Sequence, residues 1–233
     1  MWVVVPVKRF SNAKTRLAPL LSAAERESLA QAMLNDVLRA VRASRLASGV
    51  LVVSREVRAR YSVERSGGLF LEESGSGLSA AIAQGGQWLA THGQRGMLMI
   101  PGDVPLVSAH EIDEVLAAHR AAPAVTLVPD REHDGTNALA VSPVDAIDFA
   151  FGQDSYSRHR EAALAAGIVP DTRFLPGLAL DLDHPLDLQT LLTHDSETET
   201  LAYLCDSGIA RRVLPHHVSA RDTSDIAAAS RLL

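Results

Sequence analysis

Short β-branched runs alternate with long amphipathic stretches over most of this chain, and that order restricts it to an α/β fold whose sheet is largely parallel. The run "VVVPV" opens the sheet at residues 3–7. "SAAERESLAQAMLNDVLRAV" follows, with Ser22 and Glu25 spaced as a capping box and Ala30, Met33, Leu34, Val37, Leu38 and Val41 at helical intervals. Further strands are expected at 49–54, 69–73, 96–106, 124–128 and 137–142. Helices are expected from Gly77, from Ser108 with Glu111 as a second capping box, and from residue 155 to its closing Gly167. "LALDLDHPLDLQTLL" reads as a strand followed by a helix. With 233 residues and 47% hydrophobic side chains the chain can fill one compact domain. That domain is expected over residues 1–193, with a polar tail of unassigned role, 194–233, packed on it.

The charge balance, 22 basic against 28 acidic residues for a net −6, excludes bulk attraction to nucleic acid or to an anionic membrane. Cys205 is the single cysteine, so no internal disulfide or cysteine-based zinc site can form, and a reducing, cytoplasmic location is expected. No signal or membrane-spanning segment is expected either. The nine histidines never fall into a zinc-ligand spacing, and His216-His217 in the tail reads as surface. Neither a G-x-S-x-G elbow nor a G-x-G-x-x-G fingerprint is present, and the few aromatics offer no stacking platform for single strands.

Against this acidic background, "VPVKRFSNAKTRLA" places Lys8, Arg9, Lys14 and Arg16 directly after the first strand. A solvated loop is the ordinary reading of such a run. Its position argues otherwise, because ligands of open α/β sheets bind beyond the carboxyl ends of the strands. The loop contains no glycine, so phosphate would have to be met there by side chains rather than by a Walker-type backbone cradle.

Carboxylates form a second constellation. On a strand, "LALDLD" would turn Leu178, Leu180 and Leu182 to one face and Asp181 and Asp183 to the other, about 7 Å apart. Two ionised carboxylates so placed repel, and a hard divalent cation relieves the repulsion; Asp103, delivered by "IPGDVPL" at the end of another strand, can be the third ligand. The alternative is that Asp181 or Asp183 caps the helix after Pro185 and Asp103 merely turns the chain. A third constellation is "DGTN" with "FGQDSYSRH". Thr136 offers a hydroxyl, Gly152 permits close backbone approach and Ser155 stands at a helix start, an arrangement that suits an anion or equally an ordinary N-cap and turn. Gly77 opens a further helix whose terminus can face phosphate.

Taken in order, "VPVKRFSNAKTRL", "GLSAA", "IPGDVPL", "DGTNAL", "FGQDSYSRH" and "LDLDHPLDL" resemble the guanylyltransferases of coenzyme F420 biosynthesis, the 2-phospho-L-lactate or phosphoenolpyruvate guanylyltransferase family, over about residues 1–193. The resemblance implies a Rossmann-like nucleotidyltransferase fold, a mostly parallel mixed central sheet flanked by helices. It also implies transfer of GMP from GTP, with Mg2+, to phosphoenolpyruvate, 2-phospho-L-lactate or 3-phosphoglycerate, and hand-over of the product to the downstream F420-pathway transferase. Carried over, it places Asp103, Asp181 and Asp183 on the metal and Thr136, Gly152 and Ser155 on the phospho-acid. Lys8, Lys14, Gly77 and Asp103 fall on the nucleotide, and Lys14, Arg16 and Asp103 are the catalytic set. Gln153 and Asp154 replace the family's usual Pro-Gly, Ser79 replaces an Asn and His184 a Thr. A molybdenum-cofactor or sugar-phosphate nucleotidyltransferase is the rival enzyme, and a catalytically silent nucleotide-binding module the rival of another class.

Overall fold

The computed structural model describes residues 1–214; the tail from residue 215, with His216 and His217, lies outside the described residues. Seven strands, β1 (Trp2–Val7), β2 (Gly49–Ser54), β3 (Leu69–Glu72), β4 (Met97–Met99), β5 (Ala124–Pro129), β6 (Thr136–Ser142) and β7 (Asp171–Thr172), form one sheet in the order β3-β2-β1-β4-β6-β5-β7. β1, β2, β3 and β4 run parallel, β6 is antiparallel to both neighbours, and β5 pairs parallel with β7. The sheet is therefore mixed and mostly parallel, as the alternation of elements required.

Period-two alternation divides the core. Val3, Val5 and Val7 face the layer built on α1 (Ala23–Ala43), α2 (Val57–Arg65) and α4 (Ala109–Ala118). Val4, Leu51 and Val53 face α3 (Leu78–Thr91) and α5 (Ser155–Ala165). Both expected capping boxes form. Ser22 N–H donates to Glu25 at 2.7 Å, Ser108 N–H to Glu111 at 3.0 Å, and the hydroxyls accept from the third helical amides.

Sheet order fixes where ligands can enter. β1 lies between β2 and β4, so the connections from β1 and from β4 leave in opposite directions and open a crevice at the carboxyl ends of those two strands. β4 is far shorter than residues 96–106. Ile100 N–H still reaches Val4 O at 3.1 Å, but Pro101 has no N–H, and the chain turns out toward Asp103.

"LALDLD" is not a strand. Pro176 starts a single helical turn, α6 (Pro176–Ala179), and Leu180–Asp183 runs outside the sheet toward α7 (Pro185–Leu192), with Leu182 N–H donating to Asp103 O at 3.2 Å. The cause is Glu111, which leaves its capping box half free to accept Gly177 N–H at 2.7 Å and pins this segment to α4 instead of a sheet edge. A side chain at Gly177 would strike Leu106 O at 2.3 Å. The expected division of faces persists from residue 180, with Leu180 and Leu182 buried and the two aspartates partly exposed.

Residues 194–214 hold two helices, α8 (Glu199–Asp206) and α9 (Ile209–Val213), that the polar composition had hidden. Asp36, 2% exposed on α1, accepts from Glu199 N at 2.8 Å, Thr200 N at 2.9 Å and Thr200 Oγ1 at 2.6 Å, and pairs with Arg39. One buried carboxylate thus caps α8 from another helix. Asp36→Ala would strand those amides and is expected to cost about 2–4 kcal/mol in chemical denaturation. An unchanged midpoint would show that α8 does not depend on this anchor.

Candidate active site

Four segments distant in sequence close on a cavity of about 530 Å3 at the β1/β4 crevice. The loop after β1 contributes Lys8, Asn12, Lys14 and Arg16, the start of α3 contributes Gly77 and Leu78, and the far wall is Pro101–Asp103 with Asp183. Lys8, Lys14, Gly77 and Asp103, the residues expected on the nucleotide, all line this cavity. The loop is held from behind by Glu56, which caps α2 and accepts Phe10 N–H at 2.9 Å. Arg55 Nε donates to Glu73 O at 3.0 Å and its Nη2 to Ser74 O at 3.3 Å, shaping the turn before Gly77. Gly77 has φ +90, which a side chain would strain, and its carbonyl accepts the Ala81 amide at 3.1 Å as α3 begins.

Only one of the four opening cations is buried. Lys14 sits at φ 53 in the left-handed region, a conformation that costs a β-carbon-bearing residue about 1 kcal/mol or more, and its side chain is 4% exposed. Its Nζ lies 2.6 Å from Asp103 Oδ2 and 2.7 Å from Asp183 Oδ1. Burial works against the ammonium charge, but the two carboxylates outweigh it and raise the Lys14 pKa. Arg16, largely exposed, reaches Asp183 Oδ2 at 3.4 Å and His184 Nε2 at 3.2 Å. Burial likewise opposes ionisation of Asp183, yet Lys14, then Arg16 and Lys8, hold its carboxyl below the usual range.

Asp181 behaves in the opposite way. Burial and then the Asp103 charge push its pKa from 3.8 up to about 6, only partly offset by Asn137 Nδ2, which donates to Asp181 Oδ1 at 3.1 Å, and by Lys14. The three aspartates are thus electrostatically coupled, with one of them short of positive charge. Neither Asp181 nor Asp183 caps α7. Asp187 does so by accepting from His184 N at 2.6 Å and Asp183 N at 3.0 Å. Among the described residues no three His, Cys, Asp or Glu side chains lie close enough together to cage a metal ion; Lys14 holds two of the three carboxylates instead. In chemical type, though not in its present spacing, the donor set matches a hard divalent cation. It is all oxygen, two of its members already converge on one positive charge, and the third carries uncompensated negative charge.

The acceptor-side residues form a separate, adjoining cluster and do not line the cavity. Thr136 Oγ1 lies 3.0 Å from His159 Nδ1, Gly152 has φ +114, and Ser155 N donates back to Gly152 O at 3.1 Å. The N-cap of α5 is Asp154, at φ 55, and Ser155 is the first helical residue, 2% exposed. Asp154 points away to solvent, its amide donating to Asp134 Oδ1 at 3.3 Å. Ser79 joins the two clusters, its hydroxyl accepting Phe151 N–H at 3.1 Å from α3. Asn137 and His159 close the motifs "DGTN" and "FGQDSYSRH" but had no role assigned from the sequence, and Arg55 and Glu56 stand in no motif at all.

A crevice at the sheet's switch point, cations on one wall and coupled carboxylates on the other define a nucleotidyltransferase. The cytidylyltransferase of Leptospira borgpetersenii shares the fold with TM-score 0.59 at 12% identity, over 94% of this chain and 98% of that one. More specifically, the family model described as guanylyl transferase CofC like matches residues 1–225, well into the tail where the sequence resemblance was expected to have ended, and the chain belongs to that family. The phosphoenolpyruvate guanylyltransferase of Sphaerobacter thermophilus is 38% identical over 82% of this chain and 92% of its own. The 3-phospho-D-glycerate guanylyltransferase of Colwellia psychrerythraea is 33% identical over 87% and 97%.

Proposed function

We propose that this chain transfers GMP from GTP to phosphoenolpyruvate, or to the closely similar 2-phospho-L-lactate or 3-phosphoglycerate, and releases pyrophosphate. The observation that carries the reading is the convergence of Lys14, Asp103 and Asp183 from three distant segments at the crevice. A phosphomonoester is largely doubly ionised at neutral pH, its second pKa being about 6, so its oxygen can attack the α-phosphorus without a general base. Charge repulsion between two polyanions is the obstacle, and positioning with neutralisation is the remedy.

In this reading the loop after β1 meets the triphosphate. Lys14, Arg16 and Lys8 stabilise charge on the departing pyrophosphate, and the start of α3 at Gly77 offers amides to the phosphates. Thr136, Gly152 and Ser155 receive the phospho-acid. Asp103, Asp181 and Asp183 would hold Mg2+, which when bound supplies charge neutralisation at the α-phosphate. Lys14 would leave its carboxylate partners as the cation arrives and turn to the phosphates. The product is an anhydride joining two phosphates, which suits prompt consumption by the downstream transferase of the F420 pathway in the cytoplasm. Cys205 is free, and no helix among the described residues is long and apolar enough to cross a membrane.

The test is pyrophosphate release with GTP or ATP against the three acids and a sugar 1-phosphate, with the downstream transferase present to trap product. Release with GTP and a three-carbon phospho-acid is expected. Turnover confined to the sugar phosphate would reassign the acceptor, and nucleotide binding without turnover on any acceptor would make the chain a silent module.

A further inference from the structure

His159 is fully buried in α5, and both ring nitrogens are engaged. Ala150 N–H points at Nε2 from 3.0 Å, and Thr136 Oγ1 lies 3.0 Å from Nδ1. The ring edge packs on Phe151 with centroids 4.5 Å apart. A backbone amide can only donate, so Nε2 must present its lone pair. Burial, with the neighbouring Arg158 charge, lowers the pKa to about 4 and keeps the ring neutral, which leaves its one proton on Nδ1. Nδ1–H therefore donates to Thr136 Oγ1, and the Thr136 hydroxyl proton is free to donate elsewhere.

We infer that His159 is a positioning residue for the acceptor, fixing the Thr136 hydroxyl as a hydrogen-bond donor toward an anionic oxygen of the phospho-acid. This rests on the proposed placement of Thr136 at the acceptor. The same ring ties the strand carrying Thr136 to the backbone just before Gly152, so the two acceptor-side elements are set relative to each other by a single side chain. With one lone pair already taken by Nδ1–H, the hydroxyl keeps its proton for a ligand, which favours an anionic oxygen over an N–H at that place.

Two substitutions separate the two nitrogens. The amide of His159→Asn can keep a donor where Nδ1–H stands and loses the partner of Ala150. His159→Gln can keep an acceptor near Nε2 and loses the donor to Thr136. Acceptor KM is expected to rise roughly ten- to a hundred-fold in His159→Gln and by clearly less, about three- to ten-fold, in His159→Asn, which keeps the donor to Thr136 and loosens only the backbone before Gly152, with the GTP KM unmoved in both. On a Thr136→Val background, His159→Gln should add nothing. A purely structural histidine would shift both variants alike, and equal acceptor KM values for the two would overturn the inference. Histidine-selective 15N spectra of the wild type provide a readout independent of turnover. They should report a neutral Nδ1–H tautomer at pH 7, and an Nε2–H tautomer would overturn the orientation. Failure of the wild type on all three acids, or an unchanged acceptor KM in Thr136→Val, would instead sink the acceptor placement and the role built on it, while the tautomer still tells whether that hydroxyl is oriented.

Discussion

Asp181→Asn is expected to yield a protein that is more stable than wild type without divalent cations and has lost its metal-dependent pyrophosphate release. The folded-state pKa of Asp181 lies at about 6, above 3.8, so the native state holds this proton more tightly than the unfolded chain does. Ionisation therefore penalises the folded form. The penalty is absent below pH 3.8, grows as pH rises through about 6 and is complete beyond it. A shift of this size corresponds to at most about 3 kcal/mol, and residual solvent contact reduces it to the order of 1–3. Asparagine removes the charge and can still accept from Asn137 Nδ2. Thermal melts at pH 7.5 in chelator should show the variant several degrees above wild type, with the two converging near pH 4. Excess Mg2+ should shrink the gap by stabilising wild type through binding. Turnover is expected to fall roughly a thousand-fold or more. A variant less stable at pH 7.5, or one that keeps its activity, would remove Asp181 from the proposed metal set.

Whether local or distant contacts decide an element explains which parts of the fold and the site were legible in the sequence. Strands buried on both faces, such as Val3–Val7, and helices opened by Ser22 and Ser108 declare themselves through period and capping, because local chemistry decides them. The segment at 180–183, which lies outside the sheet, was misread for the opposite reason. Its alternation matches a strand, but Glu111, some 66 positions away, takes the Gly177 amide, and no local pattern encodes that contact. The polar surface of α8 concealed its attachment, since the side chain that anchors it, Asp36, belongs to α1 and reads there as a solvent-facing acid. Within the site, the charged residues could be named individually because Lys, Arg and Asp are few at strand ends. What the sequence could not say is that Lys14 alone among the opening cations is buried, or that it already occupies the oxygens assigned to a metal. His159 and Asn137 act through geometry with Thr136 and Asp181, and only the folded chain supplies it.

Lys14→Met gives the other large effect, and it moves two measurements in opposite directions. Turnover is expected to drop by roughly 10²–10⁴-fold, because the one buried cation of the crevice is lost while methionine keeps its apolar stem. Divalent cation affinity in the nucleotide-free protein should rise. Lys14 Nζ occupies Asp103 Oδ2 and Asp183 Oδ1 at 2.6 and 2.7 Å, so in wild type a metal must first displace an ion pair, and its apparent affinity is reduced by the fraction of molecules in which those oxygens are free. Removing the competitor should tighten Mn2+ binding by about ten-fold or more, read by titration calorimetry or by loss of the free-ion spin-resonance signal. The same logic makes the variant the more cation-dependent of the two in stability, since Asp103 and Asp183 would face each other and Asp181 with no positive charge between them. Lys14→Arg keeps the charge but not the compact ammonium that fits between two carboxylates, and is expected to recover little of the turnover. Were Lys14→Met to bind Mn2+ more weakly than wild type, the lysine would be a builder of the metal site rather than its occupant. Were turnover preserved, Lys14 would be a structural ion pair and the phosphates would have to be met by Lys8 and Arg16 alone.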